Sequence, residues 1–128
     1  MKNRWIDRCL FENPYYVTLC TTVKQYEREL ERMRIAKSER PGFTTNAASH
    51  AACHFFSCDA GLAVIVCIRK DKTKDKHQHN ALLVHEAVHV WQEVKDVIGE
   101  KNPSPEFEAY AIQSIAQCLM TEFERQSK

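Results

Sequence analysis

The sequence predicts an α+β domain, with a small sheet (one strand, a helix and a β-hairpin) packed against two C-terminal helices. Three observations carry this reading. Segments rich in β-branched and aromatic residues occupy 15–21, 51–57 and 62–68. Two long stretches with helical periodicity follow, one after residue 80 and one after Pro105. At 128 residues the chain can bury one core but not two, so residues 1–128 form a single domain.

The elements follow in order. Tyr15 to Thr21 comes after Pro14 and reads as a strand. Thr22 and Gln25 have the spacing of a capping box, which opens a charged helix. Val23, Tyr26, Leu30 and Met33 form its apolar stripe, and Pro41 and Gly42 lie beyond its end. Its Glu/Arg face is a solvated surface laced with i,i+4 pairs. Residues 42–49 read as loop. Ala51 to Ser57 and Leu62 to Ile68 read as strands joined by the turn signal Cys58-Asp59-Ala60-Gly61, hence a hairpin. The second of these strands is apolar at nearly every position, so it is expected to be buried on both faces or to lie under a helix. Arg69 to His79 reads as a mobile, charged loop.

Asn80 to Gly99 reads as the first long helix. At about 100° per residue, Val84, Ala87, Val88, Trp91, Val94 and Ile98 form a broad apolar face. His85, His89, Gln92, Glu93 and Asp96 gather opposite, with Glu86 at the margin. Apolar residues cover most of the circumference, which predicts a buried helix. Gly99 ends it. Ser104 is placed to cap the next helix, with Pro105 at its first position. That helix runs to about Arg125 and buries Phe107, Ala111, Ile112, Ile115, Leu119 and Phe123.

Composition excludes several function classes. A net charge of +1 gives no electrostatic case for nucleic acid or an anionic membrane. The longest apolar run, Leu62 to Ile68, is too short to span a bilayer. The N-terminus has no apolar run behind its basic residues, so no signal peptide is expected and the expected location is cytoplasmic. The six cysteines are then expected as buried thiols. His50, Cys53, His54 and Cys58 cluster in sequence, but Cys53 and His54 point to opposite faces of a strand and the spacing fits no common zinc knuckle.

The chemistry lies in His85-Glu86-Ala87-Val88-His89, an H-E-x-x-H motif. On a helix the two histidines stand one turn apart on one face, where two neutral imidazoles can hold a single Zn²⁺. The adjacent carboxylate can take a proton from a water held there. A catalytic zinc usually takes a third protein ligand, and no histidine follows His89. Acidic candidates are Glu93, Asp96, Glu100, Glu106, Glu108, Glu122 and Glu124. Glu93 and Asp96 project nearly parallel to the histidines and close a tetrahedron poorly. Glu106 and Glu108 begin the final helix and point to nearly opposite sides. Glu108 shares the face of Ala111, Ile112, Ile115 and Leu119, whereas Glu106 leans to solvent, where a carboxylate suits a helix N-terminus.

H-E-x-x-H, then eighteen residues, then Glu resembles the pattern of gluzincin metallopeptidases; here it runs from His85, Glu86 and His89 to Glu108. Leu82 to Gln92 together with Pro105 to Gln113 is also similar to small metallopeptidases encoded by phages and prophages. The resemblance implies a minimal zincin-like domain, zinc on His85, His89 and Glu108, and Glu86 as general base. Thermolysin-like members carry an Asp one turn after the glutamate ligand; this chain has Ile112 there. The expected function is zinc-dependent hydrolysis of peptide bonds in a peptide or protein substrate, in the host cytoplasm if the protein is phage-encoded. The alternative is a non-catalytic, zinc-stabilised phage binding or adaptor protein. Donors for a transition-state oxygen are sought among Tyr15, Tyr16, His77, His79 and Tyr110.

Overall fold

A computed structural model describes residues 1–6, 15–46 and 48–128. The fold is α+β. The described strands form one mixed sheet in the order β1-β2-β4-β3, where β1 is Trp5–Ile6, β2 Tyr15–Cys20, β3 Ala51–Cys58 and β4 Gly61–Ile68. The helices are α1 (Val23–Arg32), α2 (Lys76–Val97) and α3 (Pro105–Gln126). A short 3-10 turn spans Lys37–Glu39.

β3 and β4 form the expected antiparallel hairpin, with Ala51 opposite Ile68 and Cys58 opposite Gly61. β2 runs parallel to β4, with Tyr15 opposite Leu62 and Cys20 opposite Cys67. Parallel pairing requires a crossover, which α1 and β3 supply.

β4 therefore lies inside the sheet and between two layers. Leu62, Val64, Val66 and Ile68 pack with α2 and α3 on one face. Ile65 and Cys67 pack with Tyr26, Leu30 and Phe43 on the other. This two-sided burial is why the strand has no polar alternation.

The Thr22 side chain accepts from Gln25 N and the Gln25 side chain reaches back to the Thr22 backbone, as the capping-box spacing predicts. Val23 departs from the predicted stripe and is exposed; Tyr26 and Leu30 carry the burial.

α2 begins earlier than its hydrophobic pattern suggests. Asp75 caps it through Gln78 N, and Gln78 returns a capping-box bond. Residues 76–79 are thus helix rather than the end of a charged loop. The polar first turn hid the start, because periodicity reads only apolar positions. The buried stripe also shifts: Leu83, Ala87, Val90, Trp91 and Val94 are buried, while Val84 is exposed. One side of α2 packs on the sheet and α3. The other side, carrying His85 and His89, is exposed, so the expectation of a buried helix holds for one face only.

Gly99 ends the helix region at φ +78, a left-handed conformation that glycine adopts without a Cβ penalty. The Ser104 hydroxyl then accepts from Phe107 N at 3.2 Å and caps α3, with Pro105 in its first turn. Ala111, Ile115 and Leu119 are buried, and Phe107, Ile112 and Phe123 pack on the same core.

Cys20, Cys53, Cys58 and Cys67 are free thiols, but Cys118 is disulfide-bonded. This corrects the expectation of thiols throughout, since wide sequence spacing does not report which cysteines a fold brings within bonding distance. Cys9 lies outside the described residues. Among the described residues, no helix is long and apolar enough to cross a membrane.

Candidate functional site

The edge strand β3 and the polar side of α2 enclose a cleft of about 490 Å³. Ala51, Cys53 and Phe55 line it from the strand, and His85, Glu86 and His89 from the helix. Gln92, Glu93 and Asp96 extend the helix wall, and Thr45 closes the loop side.

The strand wall presents main chain as well as side chains. Arg69 N donates to His50 O at 3.3 Å, so His50 and Arg69 form a hydrogen-bonded pair. In an antiparallel ladder such pairs alternate with non-bonded ones. The register then directs the backbone groups of Ala52 and His54 toward β4. Those of Ala51, Cys53 and Phe55 point outward, along the edge that no other described strand pairs with.

The two imidazoles converge. His85 Nε2 and His89 Nε2 lie 3.1 Å apart, with ring planes at 73°. Two nitrogens each ~2.0–2.1 Å from one tetrahedral zinc stand about 3.3 Å apart. His89 Nδ1 faces Gln92 Oε1 at 3.0 Å. The tautomer protonated at Nδ1 would donate to this amide oxygen and leave Nε2 with a lone pair for a metal. The ring arrangement therefore suits a shared cation. Among the described residues, no three His, Cys, Asp or Glu side chains gather closely enough to hold a metal unaided.

Glu86 is 5% exposed. Cys53 Sγ donates to Glu86 Oε2 at 3.0 Å and lies 3.5 Å from the Glu86 backbone oxygen. Among the described residues Oε1 has no hydrogen-bond partner. Burial first, and then the Glu86 carboxylate, push the Cys53 thiol well above its ordinary value, which keeps the sulfur protonated and donating.

Glu108 turns toward α2, as its place on the α3 stripe predicts, but it does not line the cleft. Its Oε2 accepts from Trp91 Nε1 at 2.8 Å and lies 4.0 Å from Lys95 Nζ. The structure thus brings His85, Glu86 and His89 together and sets Glu108 on the indole side of the same helix. Glu106 is exposed.

None of the five sequence candidates for an oxyanion donor lines this cleft. His79 is buried elsewhere: Asp71 N donates to its Nε2 at 3.2 Å, and its Nδ1 faces Asp75 O at 3.0 Å. Tyr110 is exposed. The cleft offers instead the Thr45 hydroxyl, the Gln92 amide and the β3 edge N–H groups. The His50–Cys58 cluster is dispersed. Cys53 faces Glu86, His54 Nε2 faces Phe43 O at 3.0 Å on the other side of the sheet, and Cys58 bonds Gly61 O at the turn.

Cys53 is the site residue that sequence reading assigned no role. The alternation of β3 marks its face, but only the strand order reveals that β3 is the edge beside the motif helix. The chain matches no protein-family model, and no curated protein or solved structure shows detectable similarity to it.

Proposed function

We propose that this chain is a minimal zinc-dependent peptidase, zincin-like in arrangement, whose cleft takes an extended peptide between the β3 edge and the motif helix. The observation that carries the reading is the convergence of the His85 and His89 Nε2 atoms beside a buried Glu86 whose Oε1 has no hydrogen-bond partner among the described residues. A desolvated carboxylate is costly unless it is paired and hydrogen-bonded, so the unpartnered oxygen calls for a partner from outside the described residues. A purely structural metal site has no need of such a carboxylate.

His85 and His89 would hold the zinc, with Glu108 as third ligand. Glu108 lies beside the motif helix outside the cleft, with Trp91 Nε1 and Lys95 Nζ both on its Oε2, so ligation would fall to its other oxygen, with these neighbours steadying the carboxylate. Zinc, when bound, would supply Lewis acidity that makes water more acidic and polarises a carbonyl. Gln92 holds the His89 ring in the tautomer that ligation needs. Glu86 accepts the proton of the attacking water and passes it to the leaving amine. The outward N–H and C=O groups of Ala51, Cys53 and Phe55 offer a substrate main chain a strand to pair with, and Thr45 and Gln92 offer donors to a developing oxyanion.

A second reading, a non-catalytic zinc-stabilised binding or adaptor protein, draws on one observation: Glu108 is engaged with Trp91 outside the cleft. A peptide-library digest with metal analysis separates the two. Under the peptidase reading the wild type cleaves peptides in a zinc-dependent way, and Glu86→Gln keeps zinc and fold but loses cleavage. A zinc-loaded wild type that cleaves nothing, or undiminished turnover in Glu86→Gln, sinks it.

A further inference from the structure

We infer that Cys53 is a positioning residue for Glu86: its S–H, donated across the cleft from the edge strand, fixes the carboxylate so that Oε1 is the oxygen offered to the cleft. The inference rests on the reading of Glu86 as proton acceptor and adds a residue from a different element to that machinery.

Glu86 has a flexible side chain on a helix, and nothing on its own helix holds it. A buried carboxylate without a donor is strongly disfavoured, and among the described residues the Cys53 S–H is the donor it has. The sulfur sits on the face of β3 that looks at α2, packed at the margin of the main core, so its position is set by the sheet. The same sulfur lies 3.5 Å from the Glu86 backbone oxygen and so fits against both ends of the residue. The contact therefore registers the edge strand against the motif helix at the residue that handles the proton.

The choice of a thiol also has a chemical reason. An S–H is a weaker donor than a hydroxyl or an amide. It orients the carboxylate while leaving its capacity to accept a proton largely intact. Burial keeps the sulfur a thiol rather than a nucleophilic thiolate, so its role is donation and not covalent chemistry.

Three variants of the full chain, zinc-loaded, test this: Cys53→Ala, which removes the donor; Cys53→Ser, which keeps a donor in nearly the same place; and Glu86→Gln. The first readout is kcat and KM on a peptide that the wild type cleaves, with melting temperature beside it. Cys53→Ala should lower kcat about tenfold, the scale of losing an orienting partner, with KM little changed. Cys53→Ser should recover most of kcat, although both variants lose the sulfur's packing. Equal kcat in Cys53→Ala and wild type overturns the inference. So does a kcat that tracks melting temperature through Ala and Ser alike, which is the mark of a packing role.

The second readout needs no activity. The Cys53 S–H infrared stretch, identified by difference against Cys53→Ala, should shift between wild type and Glu86→Gln. A band that does not move overturns the inference even if the protein is an active peptidase. If the band moves but the wild type cleaves nothing, the contact stands and it is the peptidase reading that fails.

Discussion

Trp91 Nε1 donates to Glu108 Oε2 at 2.8 Å, tying the first turn of α3 to the middle of the motif helix. The bond identifies what must happen if Glu108 is the third zinc ligand: the indole must hold the carboxylate while its other oxygen takes the metal. Glu108→Ala should then abolish tight zinc binding. Trp91→Phe keeps most of the ring volume but loses the donor, and should weaken zinc binding by roughly 10–100-fold, as loss of an orienting partner does. Glu93→Ala and Asp96→Ala should retain metal. Zinc competition titrations on the four variants decide it. Loss of metal in Glu93→Ala or Asp96→Ala with retention in Glu108→Ala would move the third ligand into the cleft wall.

Gln92 is exposed and contributes little to the core, yet its amide oxygen faces His89 Nδ1 at 3.0 Å. Gln92→Leu removes the acceptor that selects the tautomer. Zinc affinity should fall by roughly 10–100-fold, while the metal-free melting temperature stays within about 1 °C, as expected of an exposed site with a negligible energetic share. Affinity equal to that of the wild type would show that the ring needs no such guide.

His85→Ala and His89→Ala should each lose zinc. They should not destabilise the metal-free protein, because both imidazoles stand on the exposed side of α2. Melting in the presence of a chelator tests this: wild type and both variants should coincide, and separate only when zinc is restored to the wild type. A variant that melts well below the wild type under chelation would mean that the imidazole pair carries folding energy by itself.

How far the sequence speaks for this molecule depends on the range of the signal. The Thr22–Gln25 capping box, the Ser104 cap and the Cys58–Gly61 turn are local, and each forms where its spacing predicts. The apolar run of β4 reports burial on two faces because the strand touches α1 on one side and α2 with α3 on the other. The start of α2 at Lys76 was illegible to periodicity, because its first turn is Lys76, His77, Gln78 and His79; the Asp75–Gln78 capping box is a polar signal of a different kind. Glu86, His85 and His89 sit together because a single helix spaces them. Cys53 and the engagement of Glu108 depend on which strand forms the edge and how α3 crosses α2, and those are properties of the whole fold.

Glu122 provides a test of stability by pH. Its carboxylate is buried near the end of α3 and accepts from Arg4 N at 3.2 Å, Arg125 Nη2 at 2.6 Å and Gln126 Nε2 at 3.0 Å. Burial works against the charge, but the Arg125 and Gln126 side chains and the Arg4 amide outweigh it and hold the carboxyl below its ordinary range. A folded-state pKa below the unfolded one means that the stabilisation is full above the unfolded value and is lost as pH falls through the folded value. Glu122→Gln should therefore cost ~1–3 kcal/mol at neutral pH, the scale of disrupting a buried charged hydrogen-bond set. The gap between variant and wild type should close progressively once pH drops below the ordinary carboxylate range. Urea denaturation of both proteins across a pH series measures it. A gap that stays constant from neutral to acid pH would assign Glu122 a packing role in place of an ionic one, and would remove the clamp that it makes between the N-terminal residues and α3.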